Sequence, residues 1–148
     1  WIVLTGGRSF GIMEAAMKGA HEANGLTIGV LPTENALNSS EDADIKIITG
    51  MGSGRNVINV LSSHILVVIG MAAGTASEVA LAIKSNKKVI LLHQDEITIR
   101  FFKNLGTYKV MLANTVDETI EIIKDYIRVT PLTPLRNRTT SAAGEFEG

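Results

Sequence analysis

Three glycine-rich segments carry residues that could bind an anion. They span residues 5–13, 50–56 and 70–78, and each follows an apolar run and precedes a segment of helical period. Glycine lets backbone N–H groups approach a ligand without an intervening Cβ, and a helix N-terminus carries about half a positive charge. The glycines match neither a Walker A loop nor a Rossmann G-x-G-x-x-G pattern. The segments therefore predict either a phosphate-type site or tight turns that pack helices onto a sheet.

Two arginines could neutralise such an anion. Arg8 lies inside the first segment, and Arg55 stands at a predicted helix N-terminus, where the helix dipole disfavours a cation. An anion held between Arg55 and the helix end would remove that conflict. Both side chains could instead be solvated, because the dipole effect is only ~0.3–1 kcal/mol.

Thr75 and Glu78 in the third segment allow two interpretations. Their spacing is that of a capping box, but the hydroxyl and the carboxylate could equally face a cleft. From the sequence alone we favour the cap.

Other chemistry finds little support. The three histidines are isolated, so we predict no metal held by protein ligands, and no G-x-S-x-G motif of a hydrolase is present. We interpret Asp95-Glu96 as a solvated helix start. A net charge of −1 and 5% aromatic residues make a nucleic-acid partner a poor guess. No apolar run approaches the ~20 residues of a membrane span, and the absence of cysteine suits a cytoplasmic location.

Apolar, mostly β-branched runs alternate with helical stripes along the chain. This alternation predicts a doubly wound α/β fold of Rossmann type, with a mostly parallel sheet and helices on both faces. Because parallel strands deliver the following loops to one edge, the three glycine segments should converge there. We expect Asn24-Gly25 to end the first helix and Thr115 with Glu118 to form a capping box before the last. The predicted strands are residues 1–4, 26–31, 45–48, 65–69, 89–92 and 108–112.

The size of 15.8 kDa is that of one domain. We predict a ligand-binding domain over residues 1–129 and a polar tail over residues 130–148. The chain opens at Trp1 inside an apolar run, so we expect the first strand and helix of the domain to lie outside these 148 residues. Apolar residues on more than one face of the helix around residues 57–61 predict a homo-oligomer.

Two long motifs resemble those of a known superfamily. TGGRSFGIMEAAMKGAHEANGLTIGVLP at residues 5–32 and GRNVINVLSSHILVVIGMAAGTASEVALAIKSNKKVILL at residues 54–92 are similar to the LOG-like, formerly "putative lysine decarboxylase", Rossmann-type proteins. Within that superfamily, the branch containing the molybdenum cofactor carrier proteins is the most similar. The resemblance covers about residues 1–127. It implies an additional first strand and helix with an early glycine loop, and assembly into dimers or tetramers.

The resemblance also defines an enzymatic alternative. The LOG phosphoribohydrolases, which activate cytokinins, carry P-G-G-x-G-T-x-x-E with an arginine fifteen residues before the proline. Arg55 stands fifteen residues before Gly70, and Gly74, Thr75 and Glu78 match the end of the signature. In an enzyme, Arg55 and Glu78 would be the implied catalytic residues. This sequence departs from the signature at Gly70, Met71 and Ala72, which replace P-G-G, and at Asn56, which replaces the usual lysine.

We therefore prefer a binding protein that carries the molybdenum cofactor as cargo without converting it. We expect the side chains of Met71 and Ala72 to shift a bound phosphate away from Glu78. The alternatives are a nucleoside 5′-monophosphate phosphoribohydrolase and a nucleotide-sensing module. The expected partners are a phosphate-bearing small molecule, further copies of the chain, and proteins that donate or accept the cofactor. The predicted binding residues are Gly6, Gly7, Arg8, Gly11, Ile12, Met13, Gly54, Arg55, Asn56, Gly70, Met71, Ala72, Ala73, Gly74, Thr75 and Glu78.

Overall fold

The computed structural model describes residues 1–130, so the tail predicted from residue 130 onward lies, apart from Thr130, outside the described residues. Residues 1–130 form six strands and five α-helices, which alternate except that the third strand follows the second directly, with short 3₁₀ turns at Gly52–Arg55 and Thr107–Lys109. The strands are β1 (Ile2–Thr5), β2 (Leu26–Leu31), β3 (Ile45–Ile48), β4 (Ile65–Ile69), β5 (Lys88–Leu92) and β6 (Val110–Ala113). The helices are α1 (Gly11–Glu22), α2 (Asn56–Ser62), α3 (Ala73–Lys84), α4 (Glu96–Gly106) and α5 (Val116–Val129).

All strand pairs are parallel, and they form two three-stranded sheets, β1-β2-β3 and β4-β5-β6. The α/β class and the parallel, doubly wound order are therefore confirmed. Within the described residues, however, β1 and β4 do not pair, and their free edges face one shared cavity. The last strand begins later than predicted, because Tyr108 and Lys109 lie in the 3₁₀ turn before Val110.

Side chains of the second sheet alternate between its two faces, and each face packs into its own apolar core. Val68, Val89 and Leu91 pack with α2, α3 and α4 on one face. Ile90 and Leu92 pack against α5 on the other. Helix α1 packs on β1 and β2, where the Thr5 hydroxyl donates to the buried Met17 sulfur. The strand order runs away from the facing edges in opposite directions, from β1 to β3 in one sheet and from β4 to β6 in the other. Right-handed crossovers therefore place α1 on the same side of the sheets as α5.

Helix ends follow the predicted chemistry at several positions. Asn24 has φ of +56°, and the N–H of Gly25 donates to Ala20, which closes α1 in a Schellman motif. Thr115 caps α5 by accepting from the N–H of Glu118, whose carboxylate accepts in turn from the N–H of Asn114. The acidic pair at residues 95–96 does start a helix, α4, since the Asp95 side chain caps it. The predicted caps at the end of α1 and at the start of α5 are therefore confirmed.

A carboxylate holds the start of β2 to the start of β3. Asp44 Oδ2 accepts hydrogen bonds of 2.8 Å from both the backbone N–H and the hydroxyl of the fully buried Thr27. These bonds, first the backbone one, hold the pKa of Asp44 below its usual 3.8, with a smaller contribution from His21. The charged form is thus the one that fits the folded chain.

We expect Asp44→Asn to destabilise the fold at about pH 7 and to have a smaller effect at about pH 3. A lowered carboxyl pKa contributes stability that is complete above the unfolded value and lost as the pH falls through the folded value. Urea unfolding midpoints of both proteins at the two pH values measure this. Asp125→Asn, at an exposed pair with Arg128, is the matched control. Equal midpoints for Asp44→Asn and wild type at neutral pH would contradict the assignment.

Candidate functional site

One cavity of about 1060 Å³ opens between the facing edges of β1 and β4 and reaches the glycine-rich junctions at their carboxyl ends. It is lined by parts of the segments that lead into α1 and α2 and by the first turns of α1, α2 and α3. The predicted residues that line it are Gly6, Gly11, Ile12, Met13, Arg55, Asn56, Gly74, Thr75 and Glu78. The predicted residues that do not line it are Gly7, Arg8, Gly54, Gly70, Met71, Ala72 and Ala73.

Two close approaches show that the junctions converge as predicted. The Arg55 guanidinium lies directly on Gly6, since a Cβ built on Gly6 would stand 2.7 Å from Arg55 Cζ. The third junction meets the start of α1, because a Cβ on Gly70 would contact Ile12 Cδ1 at 3.5 Å. Gly70 has φ of +71°, a value that side chains rarely allow. The carboxyl ends of β1 and β4 therefore lie at the same edge.

Arg55 is the cation of this site. It occupies the residue before α2, as predicted, and its side chain is only 11% exposed. Nη1 lies 3.7 Å from Glu78 Oε1. Burial lowers the pKa of Arg55, and the charge of Glu78 opposes that shift while the charge of Arg8 adds to it. An arginine stays charged under any ordinary condition, so the structure places a nearly buried positive charge at the cavity wall.

Two polar atoms beside this cation have no hydrogen-bond partner among the described residues. They are Arg55 Nε and Asn59 Oδ1, and both are buried. A buried polar atom without a partner costs about 1–3 kcal/mol. Both residues line the cavity, so a polar ligand there could satisfy groups that the protein leaves unpaired.

Glu78 is not part of a capping box, and our preferred interpretation of Thr75 and Glu78 was wrong. Helix α3 starts at Ala73 after Ala72, with no side-chain cap, so Thr75 is already its third residue. The Glu78 carboxylate instead accepts a 3.0 Å hydrogen bond from Asn59 Nδ2 and faces Arg55. The capping-box spacing failed because the helix begins two residues before Thr75.

Met71 also differs from its expected position. Its side chain packs against the apolar core that includes Val68 and Val79. Neither Met71 nor Ala72 lines the cavity. That these two side chains displace a bound phosphate stays a prediction, and the packing of Met71 on the core does not favour it.

The helices at the cavity differ from the others in their capping. α1, α2 and α3, which follow the glycine-rich junctions, begin without a side-chain cap. α4 and α5, which begin elsewhere, are capped by Asp95 and Thr115. The first backbone N–H groups of a helix have no partner within it. At α1 and α3, both twelve residues long, these groups are open to an anion at the cavity.

Arg8, the other predicted cation, lies outside the cavity lining. Its guanidinium stands 5.7 Å from the Phe10 ring centre, and its backbone bridges to Ser39 in the loop between β2 and β3. It still contributes positive charge near Arg55.

Sequence reasoning missed two residues that hold the site in place. Asn59 donates to Glu78, and Ser77 accepts a 3.0 Å hydrogen bond from the Nδ2 of Asn56. Asn59 stands four residues after Arg55, one helical turn further on the same face, and this spacing was a usable signal. Ser77 offered none, because only tertiary packing brings α3 against α2.

These features suit binding of an anion with polar and apolar parts. Among residues 1–130, no three His, Asp or Glu side chains gather as a metal site would require. In the same part of the chain, no helix combines the length and apolarity of a membrane span.

Solved structures and sequence relatives resemble this chain closely. The molybdenum cofactor binding protein of Rippkaea orientalis is 50% identical with a TM-score of 0.84, and the molybdenum cofactor carrier protein of Chlamydomonas reinhardtii is 48% identical with a TM-score of 0.82. Both matches cover 86% of this chain and 78% of the other. An uncharacterised protein of Archaeoglobus fulgidus is 46% identical over 90 residues, which are 61% of this chain and 59% of that protein. The model of the SLOG cluster4 family matches residues 1–120. The fold, the strand-to-helix glycine junctions and this match together show that the chain belongs to the SLOG cluster4 family.

Proposed function

We propose that this protein binds the molybdenum cofactor as cargo and carries or stores it without chemical conversion. The observation that carries the proposal is the meeting of two uncapped helix N-termini, those of α1 and α3, with the nearly buried Arg55 at one cavity. The cofactor bears a phosphate, which such backbone dipoles and an arginine stabilise. The names of the similar proteins from R. orientalis and C. reinhardtii support the same cargo.

The contacts of Glu78 favour a carrier over a phosphoribohydrolase. Its carboxylate holds Arg55 and Asn59, so a positioning role accounts for its presence without turnover. A hydrolase also needs its substrate aligned with the catalytic groups, and a displacement of about 1 Å can cost ~100-fold in rate. A carrier needs affinity without that alignment.

The proposal includes a location in the cytoplasm. A chain without cysteine suits the reducing cytoplasm. Proteins that synthesise the cofactor would donate it there, and enzymes that use it would accept it.

We expect the purified protein to bind the cofactor saturably and to slow its decay. Gly74→Asp should abolish both effects, because it places bulk and negative charge at the open start of α3. Mass spectrometry follows the intact cofactor over time, and circular dichroism checks the fold of the variant. Undiminished protection by a folded Gly74→Asp protein would contradict the proposed phosphate position.

The same preparation separates carrier from enzyme. AMP and an N6-prenylated AMP are incubated with wild type and with Glu78→Gln, and free base is followed by chromatography. We expect negligible release. Turnover of ~1 per second or more that disappears in Glu78→Gln would overturn the carrier proposal in favour of a phosphoribohydrolase. Tight nucleotide binding without turnover or cofactor protection would favour a sensing module.

Gly6→Ala tests the role of Arg55. The added methyl group would collide with the guanidinium and displace it from the cavity wall. We expect cofactor affinity to fall by about 10- to 100-fold, the equivalent of one charge-assisted hydrogen bond. Gly19→Ala, where a Cβ meets nothing within 4 Å, is the matched control. Cofactor affinity is measured by isothermal titration calorimetry. Equal affinity in the two variants would contradict a role of Arg55 in binding.

The proposal includes a homo-oligomer. On α2, Val57 and Leu61 are exposed by 41% and 55%, although α2 packs on α3 with its other face. A second copy would cover this apolar face. We expect light scattering at micromolar concentration to give a multimer, and Leu61→Glu to give a monomer. Ile97→Glu, at an exposed position of α4, is the control. A monomeric wild-type protein would contradict the proposed homo-oligomer.

A further inference from the structure

Helix α4 carries a stripe of apolar side chains that the described residues leave uncovered. Ile97, Phe101 and Leu105 stand four residues apart on one face of the helix, and Tyr108 follows in the 3₁₀ turn. These four residues, the α4 stripe, are exposed by 83%, 60%, 54% and 69%, whereas the neighbouring Phe102 is buried in the core. Large apolar side chains exposed side by side mark an interaction site.

The edge of the sheet beside the α4 stripe is also open. β6 packs on α4, and among residues 1–130 it pairs with β5 alone. Val110 packs into the core under α4, and Leu112 faces the same side because side chains alternate along a strand. Leu112 is nevertheless exposed. The strand edge therefore extends the apolar surface of α4.

The described chain ends near one end of the α4 stripe. A groove of about 520 Å³ beside the last turn of α5 is lined by Val129, Thr130 and Lys88. The Nζ of Lys88 donates a 2.8 Å hydrogen bond to the carbonyl of Tyr108 and stands 5.0 Å from the centre of its ring. One lysine side chain thus connects the end of α5 with Tyr108, so residues 131–148 start beside the stripe.

The sequence that follows Thr130 has a pattern suited to such a surface. Pro131 and Pro134 favour the polyproline II conformation, which has three residues per turn. Leu132 and Leu135, three residues apart, would then project from the same side. Proline-rich segments dock on apolar and aromatic surfaces because little conformational entropy is lost.

The lengths of the segment and the stripe agree. Leu132 to Arg136 spans about 12 Å in the polyproline II conformation, at 3.1 Å per residue. Leu105 to Ile97 spans about 12 Å along α4, at 1.5 Å per residue. A segment that passes Tyr108 with Leu132 beside Leu105 would therefore bring Arg136 to the start of α4.

The charges favour the same direction. The end of the stripe at Tyr108 is basic, because Lys88 and Lys109 lie 5.0 and 5.9 Å from the centre of its ring. The other end is acidic, because Asp95 caps α4 and Glu96 is its first residue. Arginines would be repelled at the first end and attracted at the second.

We propose that residues 131–138 dock along the α4 stripe of their own chain. Leu132 and Leu135 contact the apolar side chains, and Arg136 and Arg138 meet the acidic start of α4. None of the four stripe residues lines the cavity between β1 and β4. The inference therefore goes beyond the proposed cargo and does not depend on it.

Engineered disulfides test where the segment lies, because the chain has no cysteine of its own. Asn104→Cys, next to Leu105, is combined with Thr133→Cys or, as the matched control, with Thr140→Cys outside the docked segment. We expect the first pair to close about 10-fold faster, since docking raises the effective concentration of the two thiols. Intact mass and non-reducing electrophoresis follow the reaction. A disulfide that joins two chains instead would assign the segment to a second copy and overturn docking within one chain.

Trypsin measures the docked fraction without added cysteines. Cleavage after Arg136 and Arg138 follows the population in which the segment is undocked. Leu105→Asp should speed this cleavage by about 10-fold, because it places a charge in the apolar contact. Leu37→Asp, at an exposed leucine in the loop between β2 and β3, is the matched control and should leave the rate unchanged. Circular dichroism checks the fold of both variants.

Either experiment can refute the proposal. Equal closure rates of the two cysteine pairs would show that the segment has no preferred place on α4. Equal cleavage of the wild type and a folded Leu105→Asp protein would show that the stripe does not hold it.

Discussion

The contact between Arg55 and Glu78 is the interaction on which the candidate site depends. It links the start of α2 to α3, and the guanidinium also lies on Gly6 at the end of β1. Desolvation of a nearly buried guanidinium is costly unless a carboxylate and hydrogen bonds compensate it. Glu78 supplies part of that compensation and is itself held by Asn59, while Arg55 Nε has no partner among the described residues. The site is therefore held rigidly on one side and left open to a ligand on the other.

The helix ends at the cavity likewise leave polar groups unpaired where a ligand could reach them. A side-chain cap is worth about 1 kcal/mol, and this chain uses one at α4 and at α5. It uses none at α1, α2 and α3, where the glycine-rich junctions keep backbone N–H groups free of side chains. Stability is given up at the helix ends that surround the cavity. An anion bound there would restore it, because it interacts with the same groups.

The unpaired edges of β1 and β4 belong to the candidate site. Both strands line the same cavity as Arg55 and Glu78, so their unpaired edges form part of the wall of the candidate site. The exposed Val67 and Ile69 mark the face that has no cover.

The sequence by itself determined the local structure: the parallel α/β order, most strand positions, the Thr115 cap and the placement of Arg55 at a helix start, because periodicity and capping act over a few residues. It also predicted that the glycine junctions converge, since that follows from parallel topology. Only the tertiary structure decided that Glu78 pairs with Arg55 and Asn59, that Met71 turns into the core, and that β1 and β4 stay apart. Those outcomes depend on contacts between segments far apart in the chain, which the spacing of residues within one segment does not specify.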